Sequence, residues 1–120
     1  MNAPTTDIFT VEQCGKVHVI TILIPQLSSA SSEELSARLL SLLQNQNSPR
    51  FVLDFAQVRY MESSAIGALV TFLKWLARCD GRVVIANVNE NVRFLFAVTK
   101  LDKVFPLLPD VPSAMAAAEA

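Results

Sequence analysis

The sequence predicts an α/β fold: a mostly parallel, mixed sheet of about five strands with an antiparallel N-terminal edge strand, and about four helices. Three observations lead to this prediction. Two strand-like segments stand side by side at the start of the chain, joined by Gly15 and Lys16 as in a hairpin. Strand-like and helix-like segments then alternate to the end, which is typical of parallel sheets covered by helices. The 120 residues, 52% of them hydrophobic, suffice for one domain with a substantial core.

The first two strands are predicted from alternation and from β-branched content. Residues 8–13 place alternate side chains on opposite faces, and residues 17–24 are mostly apolar and β-branched. Pro25 lacks a backbone donor and is expected to end the second strand. Residues 1–7 are polar and are predicted to be a flexible tail, so the single domain is expected to span residues 8–118.

Four helices follow from apolar spacing and from their capping signals. The first is predicted to begin at Ser31, which stands three residues before Glu34 as in a capping box, and to end in a polar run at residues 44–49. The second is predicted from Ser63 to Arg78, with apolar side chains on more than one side.

The third helix is expected to be capped by Asn89, since apolar residues follow it at helical spacing. A fourth, alanine-rich helix is predicted to begin at Asp110 or Ser113.

Three further strands complete the predicted order β-β-α-β-α-β-α-β-α. Residues 51–55 and 82–88 are short apolar runs between turn signals, which indicates buried central strands. Residues 104–107 contain Pro106 and are therefore predicted at an edge of the sheet. Right-handed crossovers would place the helices on the sheet.

Charge and composition argue against several classes of partner. The formal net charge is −1, and lysines and arginines are scattered, so no basic stripe for nucleic acid or for a membrane surface is visible. No apolar run is long enough to predict membrane insertion. The N-terminal residues do not form a signal peptide, so we expect a cytoplasmic protein.

The residues that usually carry catalysis are sparse. Cys14 and Cys79 lack metal-ligand or redox spacing and are expected to be reduced, small core residues. His18 lies within a strand and is expected to be a structural side chain. Asp54 and Glu62 could serve acid–base chemistry, but no histidine, lysine or metal-ligand set accompanies them. We therefore predict no enzyme, with no catalytic residue, metal site or cofactor.

Residues 60–67 combine the end of a strand, a short loop and two serines at the start of a helix. One interpretation is structural, because serine is a preferred N-cap residue. The other is functional: a helix N-terminus tolerates a phosphate well, so Ser63 could be phosphorylated without unfolding the helix. The phosphate would add a charge of roughly −1.5 to −2 beside Glu62 and repel an acidic partner or disturb an apolar contact.

At this segment the sequence resembles the STAS domains of the anti-sigma factor antagonist family. Residues 51–61 and 62–67 match the family's stretch "vvlDls-v-fmDSSGlg". Residues 81–88 match the strand after the motif helix, and residues 92–96 and 99–105 match the family's ending "v-r-lf...tGLdkvf". The resemblance spans about residues 8–118 and implies the STAS fold.

The resemblance also implies a switch that regulates transcription. In this family the unphosphorylated antagonist binds an anti-sigma factor, a serine kinase of the GHKL ATPase type, and so frees a sigma factor. The kinase phosphorylates the first serine of the motif, which corresponds to Ser63, with Ser64 as the second choice, and a PP2C-type phosphatase resets the switch. The implied partner-binding residues are Leu27, Ser28, Ser29, Glu62, Ser63, Ser64, Ile66 and Gly67.

The sequence departs from the family pattern at four positions. Glu62 replaces the motif aspartate, and Ala65 replaces the motif glycine. Ser28 stands where the family's "GELD" has its aspartate, which removes a charge from the expected partner surface. Lys100 replaces a glycine that would take positive φ at a helix C-terminus, so it is expected to accept strain or to end the helix differently.

These departures favour an alternative, a STAS scaffold or adaptor subunit that never cycles, in a stress-signalling assembly or a lipid-transport ABC system. A third hypothesis is small-ligand binding at the cleft beyond the strand ends, although no glycine-rich loop supports it. The sequence leaves open whether the protein is a monomer or a homodimer.

Overall fold

The computed structural model describes residues 8–44 and 46–120, which form seven strands, four α-helices and one short 3-10 helix. The strands are β1 (Phe9–Cys14), β2 (Val17–Ile22), β3 (Gln26–Leu27), β4 (Arg50–Asp54), β5 (Tyr60–Met61), β6 (Arg82–Ala86) and β7 (Leu107–Leu108). The α-helices are α1 (Ser29–Ser41), α2 (Ser63–Arg78), α3 (Glu90–Val98) and α4 (Val111–Glu119), and the 3-10 helix is Leu101–Lys103. The tail predicted at residues 1–7 lies outside the described residues.

Five of the strands form one sheet in the order β1-β2-β4-β6-β7. The β1–β2 pair is antiparallel, and the β2–β4, β4–β6 and β6–β7 pairs are parallel. This arrangement confirms the predicted fold class, including the antiparallel N-terminal edge strand, and it places β7 at the opposite edge. The ladder between β3 and β5 is separate and parallel, and the sequence did not predict it.

Two of the central strands are shorter than predicted. β2 ends at Ile22 rather than at residue 24: Leu23 N still donates to Ile8 O at 2.8 Å, but Pro25 has no N–H group with which to continue the ladder. β6 ends at Ala86 rather than at residue 88, because Asn87 takes a left-handed conformation with φ 63°. Asparagine adopts this conformation more readily than most residues, so the strand stops there at low cost.

The last strand begins later than predicted. Residues 104 and 105 do not pair with the sheet, because both of their N–H groups donate to Leu101 O, at 3.0 and 2.9 Å. The strand starts only after Pro106, whose own carbonyl accepts from Ile85 N at 2.9 Å. The predicted edge position is confirmed, whereas the predicted range 104–107 is wrong.

The helix predictions hold for three helices, whereas the first helix differs at both ends: α1 begins at Ser29 rather than at Ser31, and it ends at Ser41, before the polar run at residues 44–49. α2 has the predicted range, and the Asn89 and Asp110 side chains cap α3 and α4 as expected. The capping box at Ser31 and Glu34 is wrong. Instead Ser28 is the N-cap of α1 and exchanges hydrogen bonds with Ser31: Ser28 N donates to Ser31 Oγ at 2.8 Å, and Ser31 N donates to Ser28 Oγ at 3.5 Å.

The two faces of the sheet carry cores of different character. One face packs on α1, α2 and α3 through large side chains, and the ring centroids of Phe51 and Phe72 lie 5.3 Å apart. The other face consists mainly of valines and is covered by α4 through Ala114 and Ala118. Because alanine is small, α4 lies close to the sheet and buries little apolar area of its own.

The C-terminal end of α4 is held by arginines from the beginnings of two adjacent strands. Arg50 Nη1 donates to Ala118 O at 2.5 Å, and Arg82 Nη1 donates to Ala120 O. Cations at this end of a helix also complement its dipole.

Lys100 has the positive φ that was expected for the family's glycine at this position. Its φ is 62° and its ψ is 18°, between the end of α3 and the 3-10 helix. A left-handed lysine is strained relative to glycine, because its Cβ crowds the backbone. The chain therefore keeps the turn of the family ending and accepts the strain.

Candidate functional site

The candidate site is the corner formed by residues 27–32 and 62–67, here called the helix-start corner. β3 and β5 pair Leu27 with Met61, and Glu62 N donates to Leu27 O at 2.9 Å. Just before them, Arg59 N and Tyr60 N both donate to Pro25 O, at 2.7 and 3.1 Å. The short ladder thereby holds the starts of α1 and α2 side by side.

Ser63 is the first residue of α2, and its side chain is exposed. The N-cap is Glu62, with φ −87° and ψ 163°, and its side chain makes no capping hydrogen bond. The interpretation of the serines as caps is therefore wrong. Side chains cap the other three helices, whereas among the described residues none caps α2. Ala65 N donates to Glu62 O at 3.0 Å, so the amide groups of Ser63 and Ser64 are the ones that remain available to an acceptor from outside the helix.

The predicted partner-binding residues differ in exposure. Ser29, Glu62, Ser63, Ser64 and Gly67 are exposed, and Ser28 and Ile66 are half-buried. Leu27 is fully buried. Its side chain supports the corner from inside the core and offers no contact surface to a partner.

A groove of about 240 Å³ runs between the first halves of α1 and α2. Its lining residues are Ser29, Ser32, Glu33 and Ser36 from α1, and Ser64, Gly67, Ala68 and Thr71 from α2. A Cβ added at Gly67 would meet nothing within 4 Å, so packing inside the chain does not require a glycine there. Glu62 of the corner and Glu33 of the adjoining groove supply negative charges, so this surface is acidic before any modification.

The turn after β4 is fixed by the carboxylate of Asp54. Asp54 Oδ1 accepts from Ala56 N at 3.0 Å and from Asn87 Nδ2 at 2.9 Å. This engagement with the turn and with the neighbouring strand end gives Asp54 a structural role. The acid–base pairing with Glu62 that the sequence left open finds no support in this geometry.

Asn89 ties the loop before Ser63 to α3. Its Oδ1 accepts from Val92 N at 2.8 Å, and its Nδ2 donates to the carbonyls of Val58 and Arg59, both at 3.1 Å. Sequence reasoning found the cap and missed the tether. The available signal was an asparagine just beyond a strand adjacent to β4, because the carboxyl ends of parallel strands meet at one edge.

The other chemically notable side chains lie away from this corner. His18 is half-buried and stacks on Phe51 with ring centroids 5.3 Å apart. Cys14 and Cys79 are free thiols of intermediate burial: Cys14 packs against the edge of the valine core, as predicted in part, whereas Cys79 does not belong to the core. Cys79 follows the last turn of α2, where a residue cannot be covered on all sides.

Within residues 8–44 and 46–120, no group of three or more His, Cys, Asp and Glu side chains could hold a metal ion. Over the same ranges no helix is both long enough and apolar enough to span a bilayer.

The family model described as "STAS domain" matches residues 9–114, which include the sheet, the helix-start corner and the beginning of α4. The chain belongs to the STAS domain family. Over 99 residues this STAS domain is 26% identical to BtrV of Bordetella bronchiseptica, which is described provisionally as an anti-sigma factor antagonist. The match covers 82% of this chain and 84% of BtrV.

Solved structures share the fold of this STAS domain. An anti-sigma factor antagonist from Mycobacterium paratuberculosis has a TM-score of 0.80 and 24% identity, with full coverage of both chains. The anti-sigma factor antagonist SpoIIAA, a Bacillus cell fate determinant, has been solved in two forms. The unphosphorylated form has a TM-score of 0.65 and 21% identity, and the match covers 90% of this chain and 93% of SpoIIAA. The phosphorylated form has a TM-score of 0.65 and 22% identity, and the match covers 86% of this chain and 90% of SpoIIAA.

Proposed function

We propose that this STAS domain is an anti-sigma factor antagonist that is switched off by phosphorylation of Ser63. The unmodified protein binds a serine kinase of the GHKL ATPase type through the helix-start corner and so frees a sigma factor for transcription in the cytoplasm. The kinase then phosphorylates Ser63, the complex dissociates, and a PP2C-type phosphatase restores the binding form.

The observation that carries the proposal is the exposed Ser63 at the start of the one described α-helix that lacks a side-chain cap. Free amides and the positive end of the helix dipole accommodate a phosphate at this position. The modified serine keeps the helix intact and changes mainly the charge of the surface. The two solved forms of SpoIIAA support the proposal, since a relative of the same fold exists both with and without phosphate.

The charges of the corner give the switch its direction. Glu62 precedes Ser63, and Glu33 lines the groove from α1, opposite Ser64 of α2. A phosphate of roughly −1.5 to −2 charge would join these two carboxylates and strongly raise the negative charge of the contact surface. A kinase surface that tolerates two carboxylates would then face about twice that charge, which favours dissociation.

Gly67 supports the assignment of the groove as the contact surface. Glycine inside a helix costs roughly 0.5–1 kcal/mol relative to alanine. Neither a close neighbour nor a positive φ explains the glycine at this exposed position. Close approach of a partner helix or loop would explain it, because only glycine leaves room for such an approach.

The test is a pull-down from a lysate of the source organism, read by mass spectrometry, with the unmodified protein and the Ser63→Glu and Gly67→Leu variants as bait. Both variants should lose a GHKL-type kinase that the unmodified protein captures. Ala97→Glu, which alters an exposed position on α3, serves as the charge control and should retain the kinase. Incubation of the captured kinase with ATP should then add one phosphate, which Ser63→Ala should abolish and Ser64→Ala should not.

The non-cycling scaffold is the competing function, and the same experiment distinguishes it. Ser28 fills the position of the family's acidic residue and serves as the N-cap of α1, which is a structural use of that position. If all four baits capture the same transporter or scaffold proteins and Ser63 carries no phosphate in growing cells, the protein is a constitutive adaptor and the phospho-switch is refuted.

A further inference from the structure

A second groove lies between the C-terminal half of α1 and the outer side of α2, away from the helix-start corner. Its volume is about 460 Å³, within the range of about 300–1,000 Å³ that is usual for small-ligand pockets. The lining residues are Ala37, Leu40, Ser41, Leu43, Gln44 and Trp75. The side chains are mainly aliphatic and aromatic, so the groove favours an apolar occupant.

Trp75 is the most conspicuous residue of this groove. It is the only tryptophan of the sequence, and 45% of it is exposed on the outer side of α2. A solvent-facing position on an amphipathic helix ordinarily carries a polar residue. Tryptophan offers a large, rigid apolar surface to a ligand at low cost in conformational entropy.

Two cations follow the apolar groove along α2. Trp75 also lines a smaller depression of about 140 Å³ together with Thr71, Lys74 and Arg78. The Arg78 guanidinium carbon lies 4.9 Å from the centroid of the Trp75 ring. Lys74 and Arg78 are exposed, and within the described ranges no carboxylate forms an ion pair with either. The surface thus joins an apolar groove to two uncompensated positive charges through one aromatic ring.

We propose that this surface binds a single-chain amphiphile with a carboxylate head, of the medium-chain fatty acid class. The alkyl chain lies against Leu40, Leu43 and Trp75, and the carboxylate pairs with Lys74 and Arg78. Arginine suits this role, since its planar fork can bind a carboxylate through two parallel hydrogen bonds. A carboxylate amphiphile fits better than a protein partner, because the surface places one apolar groove directly beside two cations that form no ion pair within the described ranges.

Trp75 provides a direct readout for the test. Dodecanoate with a bromine at the end of its chain, added below its micelle concentration, should quench Trp75 fluorescence saturably, and untagged dodecanoate should reverse the quenching by competition. Shortening the competitor by two methylenes should weaken it by up to about fifteenfold if both are buried, at about 0.8 kcal/mol each. Dodecanol, which lacks the charge, should compete more weakly than dodecanoate.

The double variant Lys74→Gln/Arg78→Gln separates the head-group contact from the apolar contact. Exposed ion pairs contribute up to about fivefold each, so the variant should weaken dodecanoate binding by up to about 25-fold and leave dodecanol binding unchanged. The matched control is Lys100→Gln/Lys103→Gln, which removes the same charge from another surface. It should leave the competition midpoints of both dodecanoate and dodecanol unchanged. Circular dichroism confirms that both double variants are folded.

Three results would overturn the proposal. If quenching rises linearly with the concentration of brominated dodecanoate and does not saturate, the acid associates with the protein without a defined binding site. Equal competition by dodecanol and dodecanoate shows that the two cations do not bind the head group. Quenching by anionic phospholipid vesicles without competition by dodecanoate shows that the surface meets a membrane and not a free acid. None of these results bears on Ser63, so the proposed switch stands or falls separately.

Discussion

Replacing Asn89 with serine should release the loop that leads to Ser63 while leaving α3 capped. Serine and asparagine are comparable N-cap residues, so the bond to Val92 N can be kept. The serine side chain has no amide group, so the two donations to Val58 O and Arg59 O are lost. Asn89→Ala removes all three hydrogen bonds. The difference in unfolding free energy between Asn89→Ala and Asn89→Ser therefore gives the contribution of the capping hydrogen bond alone.

The magnitudes follow from the environment of each bond. A net intramolecular hydrogen bond contributes about 0.5–1.5 kcal/mol, and the Arg59 bond is exposed and so belongs at the lower end. The two tether bonds together should therefore contribute about 1–2 kcal/mol. Loss of the cap adds about 1 kcal/mol. We expect the free energy of unfolding to fall by about 1–2 kcal/mol for Asn89→Ser and about 2–3 kcal/mol for Asn89→Ala.

Urea unfolding measures these losses, and amide hydrogen exchange locates them. Exchange should accelerate at Tyr60 and Glu62, whose N–H groups donate to Pro25 O and Leu27 O, more than at the centre of β6. Asn91→Ser changes an exposed asparagine on the same helix and should stay within about 0.5 kcal/mol of the unmodified protein. If Asn89→Ser matches the unmodified protein in both measurements, the tether does not hold the loop, and our account of how Ser63 is positioned is wrong.

Three further predictions test the strained turn, the partner surface and a helix cap. Lys100→Gly should raise the unfolding free energy by about 0.5–1 kcal/mol, because glycine accepts the φ of 62° without strain, whereas Lys100→Ala should give no such gain in the same urea titration. Ser28→Asp should keep the N-cap and restore an acidic side chain at this position. The kinase captured by the pull-down should therefore bind this variant more tightly in calorimetry. Unchanged or weaker binding would exclude this position from the contact with the kinase. Hydrogen bonds from the Ser113 hydroxyl and N–H group lower the pKa of Asp110 below its usual 3.8. The Asp110 carboxylate therefore stabilises the fold above pH 3.8 and ceases to do so as the pH falls through the lowered pKa. The difference in unfolding free energy between the unmodified protein and Asp110→Ala should vanish in acid. The difference between the unmodified protein and Asp110→Asn should be small at neutral pH.

The predictions from sequence that succeeded rest on long periodic segments with clear end signals. The second helix was predicted at its observed bounds, because sixteen residues of apolar spacing stand between the paired serines and the turn Asp80-Gly81. The positive φ of Lys100 was anticipated from the family ending, where a glycine occupies that position.

The predictions that failed concern interactions between segments that are short or far apart in sequence. β3 and β5 have two residues each, too few to show any period, yet their pairing brings the two halves of the helix-start corner together. The cap of α1 was placed at Ser31, because two serines and a glutamate can satisfy the same local pattern in more than one register. The tether of Asn89 joins residues 30 positions apart, so no local pattern contains it.

The thin cover that α4 gives to one face of the sheet affects how readily the protein aggregates in solution. Val17, Val19, Val52 and Val84 form a β-branched surface beneath only nine helical residues. Elements that bury little apolar area open at lower free energy than the core. Each opening of α4 would expose an apolar patch of the kind through which proteins associate. Arg50 and Arg82, by retaining the end of that helix, therefore act against aggregation as much as for stability.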